Sequence, residues 1–224
     1  MTIAALLLPF ALMQADVAAA PSDQRYARCI ALIDEDAQAA YEEGMNWASI
    51  GQQLGGYRCA ALALVAQQRY AEGARRLESL ARSVNTNDPS LRAELFSQSG
   101  NAWLLARDAA HARGAFTQAI STMAPGAEQL PDLHIDRARA YAMEQDYRNA
   151  EEDLSRALDL RPNDSLALRL RASARLRQNA FPLAEADAQE ALNHAATEQD
   201  RVDSALVLGH VRESIRTGTA VEEQ

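Results

Sequence analysis

Small residues recur along this chain at two fixed spacings, and this recurrence constrains the fold more than any other feature. Pairs of small residues 12 positions apart occur four times, as Ala61 and Gly73, Gly100 and Ala112, Ala138 and Ala150, and Ala172 and Ala184. The residue 19 positions after the first member is Leu80, Ala119, Ala157 and Ala191, respectively. Because close helix packing needs small side chains at the contact, the spacing predicts an antiparallel helix pair that is repeated four times along the chain.

The distance between successive helix pairs varies along the chain. It is 34 residues from Ala150 to Ala184, 38 from Ala112 to Ala150 and 39 from Gly73 to Ala112. The longer steps coincide with the loop-like sequences "NTNDPS" and "APGAEQLPD". Clusters of Pro, Gly, Asn and Asp favour turns, so the additional residues are predicted to lie between the pairs and outside the helices.

The chain resembles tetratricopeptide-repeat (TPR) proteins, which stack helix-turn-helix units of about 34 residues. The best match covers residues 131–164 and is carried by Ala138, Tyr141, Tyr147, Ala150, Leu154, Ala157 and Pro162. Residues 93–126 match nearly as well, and residues 54–87 and 165–198 match less closely. The resemblance implies an all-α, right-handed helical solenoid of about four to five helix pairs with a C-terminal capping helix.

Helical segments flank the four repeats. Residues 21–53 are interpreted as a degenerate N-terminal helix pair, with a short helix over residues 26–33 and a capped helix over residues 34–50. Gly55 and Gly56 are interpreted as the break that follows this pair, because glycine favours turns.

The C-terminal segment is predicted to cap the array. Thr197 and Asp200 have the spacing of a capping box, and residues 199–217 form the predicted capping helix, with Gly218 as its stop. The helix is predicted to cover the last repeat with an apolar face, which consists of Ala205, Leu208, Val211 and Ile215. Residues 218–224 are predicted to be a flexible tail.

The first 20 residues are predicted to be a secretory signal peptide. Residues 3–13 are apolar and residues 17–20 offer a small-residue cleavage site. The apolar stretch is shorter than the roughly 20 residues that span a bilayer. No Lys or Arg precedes it, so an uncleaved anchor remains the alternative. The expected location is outside the cytoplasm, in the periplasm, with no membrane span in the mature chain.

The two cysteines are predicted to form a disulfide. In an oxidising compartment an even number of cysteines indicates bridges, and Cys29 and Cys59 would close a loop of 30 residues. The chain-entropy contribution of such a loop is about 3 to 4 kcal/mol. A redox-active pair is the alternative, but the C-x-x-C spacing of such pairs is absent.

Charge and motif content argue against several classes of function. The formal net charge is −9, which disfavours nucleic acid as a partner. All 22 basic residues are arginines, so lysine chemistry is excluded. The four histidines lack metal-ligand spacing and are interpreted as surface or packing residues: His111, His134, His194 and His210. The sequence predicts no catalytic residue, no metal site and no cofactor, and an enzyme is disfavoured.

The TPR resemblance also implies where a partner would bind. In that family the first helices of successive repeats line a concave groove that binds peptides or partner helices. The motif alignment assigns to this groove the residues Arg58, Leu62, Glu94, Ser97, Asn101, Asp132, Ile135, Arg139, Arg169, Ser173 and Arg177. This set is polar with an excess of arginine, which favours an acidic peptide or a free C-terminal carboxylate. The lysines of the family's carboxylate clamp are absent.

The arginine-rich stretch of residues 169–177 has two possible roles. Its side chains could contact an anion or an acidic peptide. They could instead pair with carboxylates on the following helix, namely Glu185, Asp187 and Glu190.

Two functions from different classes are consistent with the sequence. The first is an exported scaffold that binds a segment of another protein in the groove. The second is a structural or self-associating spacer whose groove is filled by its own tail or by a second copy of the chain.

Overall fold

The computed structural model describes residues 21–51, 53–84 and 88–221, and within these ranges it contains eleven α-helices and no β-strand. The helices are α1 (Pro21–Glu35), α2 (Ala37–Ser49), α3 (Leu54–Ala66), α4 (Tyr70–Ser83), α5 (Pro89–Leu105), α6 (Ala109–Thr122), α7 (Leu130–Met143), α8 (Tyr147–Leu160), α9 (Ser165–Arg177), α10 (Phe181–Asn193) and α11 (Glu198–Thr217). Each helix packs mainly against its neighbours in sequence. The predicted all-α helical solenoid is confirmed, whereas the predicted signal peptide lies outside the described residues.

The four central helix pairs share one type of turn. Each connection between the two helices of a pair has three residues, and the middle residue is left-handed, with φ of 62° at Gln68, 60° at Arg107, 61° at Gln145 and 60° at Asn179. The next residue donates its backbone N–H to a carbonyl five residues back, as from Asp146 to Tyr141 at 2.9 Å. Four copies of one turn give four pairs of the same geometry.

The recurring small residues lie at the contacts between helices, as their spacing predicts. Ala138, Ala150, Ala172 and Ala184 are at most 1% exposed. A Cβ atom added to Gly100 would lie 2.6 Å from the Phe116 ring. Larger side chains at these positions would separate the helices, so the sizes of these residues determine the distance between helices.

The helix ends follow the local signals in the sequence. Pro162 disfavours helix in the residue before it, and α8 ends at Leu160. The Asp164 carboxylate then accepts from the Ala167 backbone N–H at 2.9 Å and caps α9. Residues 123–129 form the longer connection between α6 and α7, where extra loop residues were expected.

The N-terminal helices differ from the sequence-based prediction in two details. Asp36, and not Asp34, separates them, because its carboxylate accepts from the backbone N–H groups of Gln38 and Ala39 and caps α2. Gly55 and Gly56 are not a break, because they lie in the first turn of α3.

The predicted disulfide joins Cys29 to Cys59, and both residues are buried. It connects α1 to α3 across 30 residues of chain. The N-terminal helix is therefore held covalently against the first helix of the four-pair array.

The C-terminal helix caps the array, but the residues that it buries differ in part from the predicted apolar face. Thr197 caps α11 and Gly218 ends it with φ of 72°. The side chains that pack against the last pair are Ser204, Val207, Leu208, Val211 and Ser214. Ala205 is exposed because it lies about 100° around the helix from Ser204.

Ile215 is also exposed, to 44%. The adjacent Ser214 is fully buried, so this turn packs against the array while the Ile215 side chain faces solvent. In the described part of the chain, no helix combines the length and apolarity needed to cross a membrane.

Candidate peptide-binding groove

Cavities between successive first helices define an open face of the array, which we call the groove. Its floor is formed by α5, α7 and α9. On α7 the cavities are lined by Asp132, Arg139 and Met143. Asp136 contacts Arg139 and Asn101, and its spacing of three or four positions places it on the same side of the helix. The charges of these α7 residues change from negative to positive along the helix axis.

The acidic end of the groove lies between the N-terminal turns of α5 and α7. A cavity of about 380 Å³ has an apolar floor that includes Leu91 and Leu133, with the carboxylates of Glu94 and Asp132 beside it. Both carboxylates already have cationic partners within the chain. Glu94 pairs with Arg58, and Asp132 pairs with Arg161.

The basic end of the groove lies at the C-terminal turns of α5, α7 and α9. Two adjoining cavities of about 500 and 520 Å³ share the side chains of Arg107, Arg139 and Met143. Large apolar side chains are exposed there, with Leu105 at 54% and Met143 at 39%. Arginine guanidinium groups beside exposed apolar surface suit a ligand that combines apolar side chains with carboxylates.

The arginines at the basic end differ in how they are engaged. Arg107 is exposed, and its side chain forms no hydrogen bond or ion pair with the residues that the structure describes. The guanidinium of Arg177 lies 5.9 Å from the centre of the Tyr147 ring, a cation–π contact. The Arg139 side chain is 53% exposed. The exposed guanidinium of Arg107 can therefore donate to an incoming anion at little desolvation cost.

Asp136 lies in the middle of the groove, between its two ends. Its carboxylate accepts from Arg139 Nη1 at 3.2 Å and from Asn101 Nδ2 at 3.5 Å. Burial raises the pKa of Asp136 above its ordinary value, and the nearby charge of Asp132 adds to this rise, although Arg139 and Asn101 act in the opposite direction. The two donors predicted to bind a ligand carboxylate therefore hold a carboxylate of the protein itself.

The structure distributes the sequence-predicted groove residues over the whole face. Glu94 lines the cavity of the acidic end, whereas Asn101, Arg139, Ser173 and Arg177 line the two cavities of the basic end.

The N-terminal and C-terminal members of the predicted set are held by neighbouring helices. Arg58 donates to Glu94 and Gln98 and lies 5.0 Å from the centre of the Tyr26 ring. Arg169 pairs with Asp203 of α11 at 3.0 Å. Two apolar predictions are wrong in part, because Ile135 is only 3% exposed and Leu62 packs against the core.

The four arginines of residues 169–177 do not share one role. Arg171 and Arg175 both donate to the buried carboxylate of Asp187, at 2.7 to 2.8 Å, as the structural alternative predicts. Glu185 and Glu190 have other partners, Arg212 and His194. Arg169 and Arg177, in contrast, lie towards α11 and the groove.

Sequence reasoning missed Arg107, Asp136, Leu105 and Met143 as groove residues. The spacing of Asp132, Asp136, Arg139 and Met143 is the signal that could have identified the α7 members. Arg107 gave no such signal, because it lies in a turn and reaches the groove only through its left-handed backbone. No set of three or more His, Cys, Asp and Glu among the described residues could hold a metal ion.

Comparisons with known proteins identify the fold. No family model matches the chain, and no curated protein matches it in sequence. Solved TPR structures do match in three dimensions. YrrB, described as a TPR protein with an unusual peptide-binding site, has a TM-score of 0.61 and 12% identity, with 84% of this chain and 100% of that chain covered.

Two further structures are similar. TTC0263, a thermophilic TPR protein from Thermus thermophilus, has a TM-score of 0.54 and 16% identity, with 84% of this chain and 98% of that chain covered. The second TPR domain of human RPAP3, solved with the HSP70 peptide SGPTIEEVD, has a TM-score of 0.50 and 23% identity, with 55% and 98% covered. The chain therefore has the fold of a TPR-type helical solenoid.

Proposed function

We propose that this protein binds an extended segment of a partner protein in the groove, with the basic end as the principal contact. The observation that carries this proposal is the combination of Arg107, whose side chain has no described partner, with exposed Leu105 and Met143 in one pair of adjoining cavities. A segment with one or two large apolar side chains next to a carboxylate fits this chemistry. RPAP3, solved with a peptide, and YrrB, described as having a peptide-binding site, support peptide binding by a fold of this kind.

The groove is long enough for a short segment. From Asp132 to Met143 the α7 axis rises by about 16 Å, which corresponds to about five residues of extended peptide. An extended segment of this length would cover the groove from its acidic to its basic end.

We expect selection from a random peptide library to show this preference directly. The wild-type protein should enrich peptides in which Leu, Ile, Met or Phe lies near Asp or Glu. In the double variant Arg107→Glu and Arg139→Glu, the same apolar residues should be enriched next to Lys or Arg. The reason is that the two substitutions replace positive by negative charge at the basic end of the groove. Sequencing of the enriched pools measures both outcomes.

The matched control is the double variant Arg28→Glu and Arg148→Glu. These arginines are exposed and lie outside the groove, and the change in net charge is the same. We expect this variant to enrich the same peptides as wild type. If neither protein enriches any peptide, or if the groove variant keeps the acidic preference, the proposed function is wrong.

We also propose that the protein acts outside the cytoplasm. The buried Cys29–Cys59 disulfide supports this location, because such bridges persist in oxidising compartments. Protein isolated from its native cells with an alkylating agent present should contain no modifiable cysteine when denatured, and two after reduction. Two alkylated cysteines without reduction would contradict the proposal.

A further inference from the structure

In the centre of the groove, the Asp136 carboxylate already accepts from donors that could otherwise bind an anionic ligand. The Arg139 guanidinium and the Asn101 amide are two of the donors that the TPR resemblance assigns to the groove. Both are directed at the Asp136 carboxylate, which is itself only 19% exposed in its side chain. An anionic ligand that approaches these donors meets a negative charge already in place.

We propose that Asp136 is the selectivity residue of the groove: its carboxylate occupies Asn101 and Arg139, excludes anionic segments from the centre, and releases both donors when it is neutralised. This inference rests on the proposed function, since it assigns a regulator to the same groove. Its consequence is that anionic segments bind more tightly in mildly acidic solution than at neutral pH.

The charged groups around Asp136 support this direction. On its own helix, Arg139 favours the ionised carboxylate, and Asp132, one turn away, opposes it. From α5, the neutral amide of Asn101 faces it, and Arg107 and Arg177 line the adjoining cavities. Because burial raises the pKa of Asp136, this carboxylate is protonated at a higher pH than an ordinary Asp carboxylate.

Protonation changes both the charge and the hydrogen bonding of the centre. The neutral carboxyl group no longer holds the Arg139 guanidinium by charge, and its O–H can donate to an incoming anion. A group that repelled the ligand then becomes a third donor beside Asn101 and Arg139.

The test uses a probe whose own charge does not change with pH. The probe is SGPTIEEVD with its three acidic residues replaced by cysteic acid, its N-terminus acetylated and its C-terminus amidated, because sulfonates stay ionised throughout the range and neither blocked terminus titrates. We expect wild-type protein to bind it about tenfold more tightly at pH 5.0 than at pH 7.5, and Asp136→Asn to bind tightly at both. Fluorescence anisotropy of a labelled probe measures the affinities.

Asp132→Asn is the matched control, since it removes one carboxylate from the same face of α7 and leaves Asp136 in place. This variant should keep a pH dependence of the same direction, moved towards lower pH because the charge of Asp132 no longer raises the pKa of Asp136. Equal affinity of wild type at both pH values, with no gain in Asp136→Asn, overturns the role of Asp136 while leaving the groove intact. Failure of all three proteins to bind the probe at either pH overturns this inference as well, and the peptide library then shows whether the groove itself has failed.

Discussion

Replacing Gly56 with alanine should lower the free energy of unfolding by about 3 kcal/mol, although only one methyl group is added. A Cβ atom at this position would lie 2.6 Å from the Ala48 backbone nitrogen and 2.7 Å from the Gly44 carbonyl oxygen. Both atoms belong to the backbone of α2, so no side-chain rotation can relieve the overlap. The helices α2 and α3 would have to separate, and their contact would lose packing along its length.

Gly114→Ala is the matched control for this substitution. Gly114 lies inside α6, and a Cβ atom added there would have no atom within 4 Å. Alanine restricts the unfolded chain more than glycine does, so this variant should be more stable by about 0.5 to 1 kcal/mol. Urea titration followed by circular dichroism measures both changes, and equal stabilities of Gly56→Ala and wild type would show that α2 and α3 are not in backbone contact.

The close contacts between helices are the part of the fold that the sequence predicted best. The spacing of Ala138 and Ala150, and of Gly100 and Ala112, identified the helix pairs because the same close contact requires a small residue at the same position of each repeat. The same reasoning failed at Gly55 and Gly56, where no repeat was present for comparison. A glycine pair alone does not distinguish a turn from a close helix contact.

The cap and the groove were harder to predict, for two physical reasons. Which residues of α11 are buried depends on how this helix is rotated against α9 and α10, and the sequence of α11 alone does not encode that rotation. The partners of the groove arginines come from other parts of the array: Asp136 for Arg139, Asp203 for Arg169. A motif alignment places a residue on a face but does not show which neighbouring charge it meets.

One set of charge pairs could have been predicted from the repeat. Arg137 and Asp153 are 16 residues apart, as are Arg171 and Asp187, and the second pair follows the first by 34 residues. The structure shows a two-point contact in each case, at 2.7 Å for both bonds from Arg137 and 2.8 Å for both from Arg171. The period that identified the helices also identifies their buried ion pairs.

Replacing Asp153 with alanine should lower the free energy of unfolding by about 3 to 5 kcal/mol at neutral pH. Its side chain is 2% exposed and accepts two hydrogen bonds from Arg137 and one from His134 at 3.1 Å. Removal of the carboxylate leaves the Arg137 guanidinium, only 11% exposed, without its counter-ion. The melting temperature followed by circular dichroism should fall by about 10 °C.

Asp159→Ala is the control on the same helix. Asp159 is exposed, and its side chain forms no hydrogen bond or ion pair with the described residues. Its replacement should change the free energy of unfolding by no more than about 0.5 kcal/mol. A similar loss in both variants would mean that helix propensity or net charge, and not the buried pair, causes the effect.

The pH dependence separates the ion pair from simple loss of packing. Burial alone would raise the pKa of Asp153, but the hydrogen bonds and charges of Arg137 and His134 together lower it below its ordinary value. A lowered folded-state pKa contributes stability that is fully present above the unfolded-state value of about 3.9 and is lost as the pH falls through the folded-state pKa. The stability difference between wild type and Asp153→Ala should therefore be constant from pH 7 to about pH 5 and shrink below pH 4. A difference that stays constant down to pH 2 would indicate that the carboxylate contributes through its shape, because protonation would then have removed its charge without effect.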